Sequence, residues 1–217
     1  MSLETLRGID TWIDLGCGEA GATTDIYPLP PRIRRISVDA AEPVSPPDGF
    51  VRDEIPHFLE THPTGPNCLI SLMDVIEHFP EGDALALLDR LEKTSATLVI
   101  FTPEGFYQQD ATSHPEFAEL PYQWHRSGWT GQAFHERGYA VVQFPQLHMG
   151  FGGFAAVRLG PCSRLEYLRW RLGLEAIRMR PFITPRTCFA AVKEHVRFRH
   201  GNSGWYSQLR NLNQRRG

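Results

Sequence analysis

The sequence is poor in cysteine: Cys17, Cys68, Cys162 and Cys188 are four in 217 residues, and no two form a C-x-x-C pair. That spacing suggests neither a zinc knuckle nor a disulfide framework, and buried, reduced thiols are the expectation. No stretch approaches the roughly 18 uninterrupted apolar residues of a membrane span. The start "MSLETLRGID" has neither the basic nor the apolar region of a secretory signal. A cytoplasmic protein is expected, with peripheral membrane association left open. Internal repeats are absent. Basic side chains are scarce in 1–157, nine against 22 acidic, whereas 158–217 holds 13 basic against three acidic. This asymmetry gives the two ends different partners or sets them against each other. The basic end reads as a contact for an anionic membrane surface or nucleic acid, and equally as a segment docked on its own acidic domain.

What is present is a 41% hydrophobic content, enough for one good core. The expected division is a main domain, 1–159, followed by a basic, helical C-terminal extension, 160–217. Short β-rich runs alternate with helical ones, as in a parallel sheet covered by helices. The candidate strands are Asp10–Leu15, Arg34–Asp39, Gly49–Arg52, Cys68–Met73, Thr97–Thr102, Tyr139–Phe144 and Phe154–Leu159. Several are continuous apolar runs, as strands buried on both faces should be. In "EGDALALLDRLEKTS" (81–95), Ala84, Leu87, Leu88 and Leu91 recur at helical spacing. "SGWTGQAFHERG" (127–138) predicts another helix, begun by Ser127 or Thr130 and stopped by Gly138. The Pro-rich segments 27–32 and 42–49 are connectors. From Pro161 the composition changes to "SRLEYLRWRLGLEAIRMRP", with Leu165, Leu168, Leu172 and Ile177 among five arginines. One further element is expected at 187–199, and the last 17 residues read as a loosely held tail.

The stretch "WIDLGCGEAGATT" (12–24) places Gly16, Gly18 and Gly21 in a G-x-G-x-x-G pattern, which by itself suggests a dinucleotide. Asp14 points elsewhere, because a carboxylate at the strand end repels a pyrophosphate and suits a ligand carrying a positive amino acid group. With "RISVDA" ending in Asp39, "RDEIP" carrying Asp53, "LMDVIEHF" at 72–79 and "TPEG" at 102–105, the chain resembles the class I S-adenosylmethionine-dependent methyltransferases over about residues 9–158. The resemblance implies an α/β, Rossmann-like, seven-stranded, mostly parallel sheet with helices on both faces. It also implies S-adenosylmethionine as cofactor, held by Asp14, Gly16, Cys17, Gly18, Asp39, Asp53 and Asp74. Gly16 and Gly18 would let the backbone pass close to the methionine portion. Asp14 would orient the turn and attract the cofactor's ammonium, Asp39 would accept from the ribose hydroxyls, and Asp53 from the adenine amino group. Taken singly, Asp39 and Asp53 read as turn or cap residues. The third glycine of the family's D-x-G-x-G-x-G is Ala20 here, with Gly21 following. An altered turn is expected rather than a lost site.

Methyl transfer from a sulfonium is an in-line displacement that needs alignment above all, with a general base when the acceptor is a hydroxyl. The candidate catalytic residues are His78, beyond the fourth strand, and Tyr122 and His125 in "YQWHRSGW". Residues 103–126 have the composition of an acceptor pocket or lid. Alternatively, Phe106, Tyr107, Phe117, Tyr122 and Trp124 cover a sheet edge. His57, His62, His135, His148, His195 and His200 have no motif around them and read as structural or exposed. The leading reading is transfer to an oxygen of a small-molecule or saccharide acceptor, with no metal assigned. The run from "TPEGF" to "HRSGW" also resembles methyltransferases of glycan or lipid-linked sugar assembly, whose membrane surface the helix at 163–180 could meet. A second reading rests on "DVIEH" and a His four residues before a Trp, which resemble the metal-assisted small-RNA 3′-terminal 2′-O-methyltransferases. Asp74, Glu77, His78 and His125 would then be ligands, with Asp74 where that family usually has Glu and only one of its two downstream histidines evident. A nicotinamide-dependent oxidoreductase is disfavoured by Asp14 and by the lack of a second nucleotide-binding half. A non-catalytic binder of the same cofactor is the remaining alternative.

Overall fold

Apolar and β-branched runs bounded by turn residues become strands at seven places in the computed structural model, which describes residues 8–18, 32–114, 119–145 and 152–160. The strands are β1 (Thr11–Leu15), β2 (Arg34–Asp39), β3 (Phe50–Arg52), β4 (Cys68–Met73), β5 (Thr97–Pro103), β6 (Ala140–Phe144) and β7 (Gly153–Arg158). They form one sheet in the order β3-β2-β1-β4-β5-β7-β6. β1 is parallel to β2 and β4, β2 to β3, and β4 to β5. β7 is antiparallel to both of its neighbours, β5 and β6. The central strands are the apolar ones: every residue of β1 and β5 is buried.

Three helices lie among the described residues. α1 (Ile55–Thr61) carries Pro56 in its first turn, where a missing N–H costs no helical bond, and buries Ile55, Phe58 and Leu59. α2 (Glu81–Lys93) buries Ala84, Leu87, Leu88 and Leu91, the four positions expected from the period. Glu81 and Asp83 begin it while Arg90 and Lys93 end it, complementing the helix dipole. α3 (Gly131–Glu136) is begun by Thr130, whose hydroxyl accepts from Ala133 N–H at 3.2 Å. Ser127, the other expected start, is used elsewhere: its hydroxyl donates to the Ile76 carbonyl.

All three helices pack on the sheet face that presents Ile13, Leu15, Ile70, Leu72, Leu98 and Ile100. The alternate side chains Trp12, Leu69, Val99, Phe101, Val142 and Phe144 build a second apolar cluster on the opposite face. The helical cover expected there, the extension at 160–217 beyond Gly160, Gly21, Cys162 and Cys188 lie outside the described residues. Among those described, no helix is long and apolar enough to cross a membrane.

Candidate functional site

Because β1 to β5 are parallel, their carboxyl ends share one edge. The chain runs outward from β1 through β2 to β3 on one side and from β4 to β5 on the other, so a crevice opens at the β1/β4 switch point, where open α/β sheets take their ligands. The turn after β1 bends across the end of β2: the N–H groups of Gly16 and Cys17 both donate to the Val38 carbonyl, at 2.8 and 3.0 Å. Gly16 has φ +72°, and a Cβ there would come within 2.5 Å of Val75 Cγ2. Gly18, at φ +54°, has no atom of the other described residues within 4 Å of where a Cβ would stand. Cys17 is buried between them. Burial, and then the charge of Asp14, push its thiol far above the usual range, making it a packed neutral group.

Asp39 ties this turn to the end of β2. Its Oδ2 accepts from Gly18 N–H at 2.8 Å and its Oδ1 from Ala41 N–H at 2.9 Å, leaving lone pairs on a half-exposed carboxylate. The Asp39 carbonyl in turn accepts from Asp53 N–H at 3.0 Å, which sets the two acids side by side. Asp53 accepts from Glu54 N–H and pairs with His57 Nδ1 at 2.8 Å. That hydrogen bond and the negative charge raise the pKa of the exposed His57 imidazole.

Asp14 lies beneath the turn and faces the second side of the sheet. Its Oδ2 forms a buried ion pair with Arg35 at 3.0 Å, and its Oδ1 accepts from Ser71 Oγ at 2.7 Å. Ser71 accepts from Trp12 Nε1, and the Arg35 guanidinium sits 4.7 Å from the Trp12 ring centroid. Arg35 therefore already offsets the charge that was expected to draw the cofactor's ammonium. What Asp14 does visibly is anchor the base of the turn. Arg35, Ser71 and Trp12 belong to this site although no motif in the sequence marks them.

Across the crevice, Asp74 follows β4 with φ +54°, a left-handed backbone unusual outside glycine and a recurrent mark of functional strand ends. Its N–H donates to the Phe101 carbonyl at 2.9 Å. A 3₁₀ turn, Ile76–His78, comes next. Glu77 is buried within it: Oε2 accepts from Thr102 Oγ1 at 3.0 Å, while Oε1 has no hydrogen-bond partner. Burial, reinforced by the charge of Asp74, holds the Glu77 carboxyl well above the usual carboxylate range. His78 Nδ1 meets the Trp124 carbonyl at 3.2 Å, and burial lowers its pKa, favouring the neutral ring. His125 Nδ1 meets the Tyr107 carbonyl at 2.8 Å. A carbonyl only accepts, so both rings donate through Nδ1–H, and the neutral form that burial favours for His78 has its lone pair at Nε2.

Ligand atoms of Glu77, His78 and His125 lie within 4.8 Å of one another. Of the four residues expected to bind a metal in the second reading, three are gathered, and Asp74 stays outside the set. His125 is delivered by main-chain bonds, since the N–H groups of Arg126 and Ser127 both donate to the Glu77 carbonyl, at 2.7 and 3.1 Å. Ser127 Oγ donates to the Ile76 carbonyl and accepts from Trp129 Nε1 at 2.9 Å. Two further bonds zip the loops together: His125 N–H to the Gln109 carbonyl at 2.8 Å, and Gln109 Nε2 to the Gln123 carbonyl at 2.7 Å. Tyr122 is on the 3₁₀ turn Pro121–Gln123, 62% exposed, and Phe106 is 58% exposed. Tyr107 and Trp124 are half-buried, and Phe117 falls outside the described residues.

The seven-stranded, mostly parallel Rossmann-like sheet, with β7 inserted antiparallel between β5 and β6, is the fold that the sequence's resemblance to class I S-adenosylmethionine-dependent methyltransferases implies. Among solved structures the chain is similar to the small RNA methyltransferase HEN1, with 18% identity and a TM-score of 0.46 over 73% of this chain and 25% of that one. It is similar also to the N-methyltransferase NodS from Bradyrhizobium japonicum WM9, at 14% identity and TM-score 0.47, covering 74% of this chain and 91% of that one. Mitomycin 7-O-methyltransferase MmcR matches at 16% identity and TM-score 0.43, covering 70% and 50%. The chain thus spans a quarter of the length of the first and half of the third. No family model matches the sequence, and no curated protein does. Likenesses this distant say nothing of the acceptor.

Proposed function

We propose that this protein is a methyltransferase moving the methyl group of S-adenosylmethionine to an oxygen of a small-molecule or saccharide acceptor, with a divalent cation on Glu77, His78 and His125 holding that oxygen. The observation that carries the cation is the buried, unpartnered Glu77 Oε1 beside two imidazoles whose Nδ1 atoms are already tied to carbonyls. Metal-ligating histidines are oriented in this way. Two imidazoles and one carboxylate suit Mn²⁺, Co²⁺ or Zn²⁺ better than Mg²⁺, which prefers oxygen.

The residues at the other side of the crevice fit the cofactor. Gly18 has no atom of the other described residues within 4 Å of where a Cβ would stand, Asp39 retains lone pairs for a ribose diol, and Asp53 stands next to it for the adenine amino group. S-adenosylmethionine supplies an electrophilic methyl group on a positive sulfur. A bound cation supplies Lewis acidity that lowers the pKa of an acceptor hydroxyl. The chain's own part is alignment: the strand-end carboxylates hold the nucleoside, and the carbonyls of Trp124 and Tyr107 hold the two imidazoles. Without a cation, the neutral His78 is the group suited to take the acceptor's proton. An acceptor with adjacent hydroxyls, as in a saccharide, matches a three-ligand site with open positions. An RNA 3′-terminal ribose carries the same diol, and the gathered Glu77, His78 and His125, together with 13 basic residues in 158–217, favour it as the second reading.

The test is calorimetry with S-adenosylhomocysteine on chelator-treated protein, followed by a screen of diol acceptors and short RNAs with and without Mn²⁺, Co²⁺, Zn²⁺ and Mg²⁺. Saturable binding and cation-dependent methylation are expected. No binding at millimolar S-adenosylhomocysteine overturns the methyltransferase reading; full activity in chelator overturns the cation.

A further inference from the structure

We infer that Thr102 is a positioning residue for the candidate cation site: its hydroxyl fixes the Glu77 carboxylate so that one oxygen is held and the other is presented to the two histidines. The inference rests on reading Glu77, His78 and His125 as that site. Thr102 is fully buried at the end of β5, and its Oγ1 donates to Glu77 Oε2 at 3.0 Å, across 25 residues of chain. Oε2 thereby has its partner, while Oε1, equally buried, has none. A carboxylate turns about its last torsion over a broad, nearly two-fold well, so nothing intrinsic to Glu77 chooses which oxygen faces inward. The surroundings must choose, and the Thr102 hydroxyl is the side-chain donor seen on this group.

The histidines are fixed differently, through main-chain carbonyls of the loops. Glu77 takes its aim from the hydroxyl of another side chain, so a single substitution can release it. Residue 102 is a strand position where Val has the shape of Thr and lacks only the hydroxyl. Outer partners of metal ligands typically contribute about 10- to 100-fold in metal affinity.

The experiment is titration of the full chain, freed of metal, with Mn²⁺ and Co²⁺ by calorimetry in the presence of S-adenosylhomocysteine, for wild type, Thr102→Val and Thr102→Ser. Thr102→Val is expected to weaken cation binding about 10- to 100-fold, with Thr102→Ser within about threefold of wild type. S-adenosylhomocysteine affinity is expected to be unchanged in both, which a merely structural loss would not leave intact. If Thr102→Val does not fold, Thr102→Ala and Thr102→Cys are read the same way. Wild-type cation affinity in the hydroxyl-free variants overturns the role of Thr102 and leaves the cation site standing. Failure of the wild type itself to bind either cation overturns both.

Discussion

The two sides of the strand-end crevice are built on opposite principles. On the β1–β3 side the three carboxylates expected to serve the cofactor each have protein partners: Asp14 has Arg35 and Ser71, Asp39 the Gly18 and Ala41 N–H groups, Asp53 the Glu54 N–H and His57. On the β4–β5 side the buried Glu77 Oε1 has no hydrogen-bond partner, and ligand atoms of Glu77, His78 and His125 lie within 4.8 Å of one another. The first side is a finished mould that needs only to admit a ligand. The second is costly to leave empty, because a buried polar atom without a partner loses its hydration for nothing. The difference is the ground on which the proposal assigns its two ligands: the nucleoside to the β1–β3 side, the cation to the side of the unanswered Glu77 oxygen.

The largest way to break this contrast is His125→Ala. Cation-dependent methylation should fall about 100-fold or more, with S-adenosylhomocysteine affinity unchanged; calorimetry and turnover on the same sample check both halves. The converse is Asp39→Ala, which should weaken S-adenosylhomocysteine by roughly 10- to 100-fold, from the loss of charge-assisted bonds, while Mn²⁺ binding persists. Equal losses of both ligands in either variant would mean that the crevice does not divide as described.

Thermal melts sharpen the contrast further. Gly16→Ala should destabilise the fold by about 1–3 kcal/mol, since an alanine is strained at φ +72° and its Cβ meets Val75. Adding Val75→Ala should recover the steric part only. Glu77→Gln should show a pH signature in chelator. The folded Glu77 carboxyl titrates above its usual 4.5, so the stability it contributes is present at pH below that value and is lost as pH rises through its raised folded value. The glutamine suffers no such loss. Its stability relative to wild type should therefore grow as pH rises above about 4.5, by something on the order of 1–3 kcal/mol; a pH-independent difference would contradict an unanswered Glu77. The smallest effect is expected at Tyr122, whose exposed side chain predicts that Tyr122→Phe changes turnover less than about threefold.

Much of this was legible in the residues. Arg34–Asp39 and Cys68–Met73 form strands with the bounds their apolar runs predict, and the period in 81–95 places the four buried positions of α2. The turn residues and the strand-end acids fall on one edge because parallel strands point the same way. α1 escaped notice because seven residues are too few for a helical period to declare itself. His62, just past the end of α1, is stacked on Phe58 with centroids 4.1 Å apart. Thr102 and Arg35 were hidden for another reason. Their partners Glu77 and Asp14 are 25 and 21 residues away, and strand-to-strand register, not local pattern, brings each pair together.

The carbonyl oxygens of Tyr107 and Trp124 that orient the imidazoles belong to the main chain, which every amino acid possesses. Exchanging exposed side chains of these loops, Phe106 and Tyr122 among them, therefore leaves in place the two carbonyl bonds by which the rings of His78 and His125 are turned.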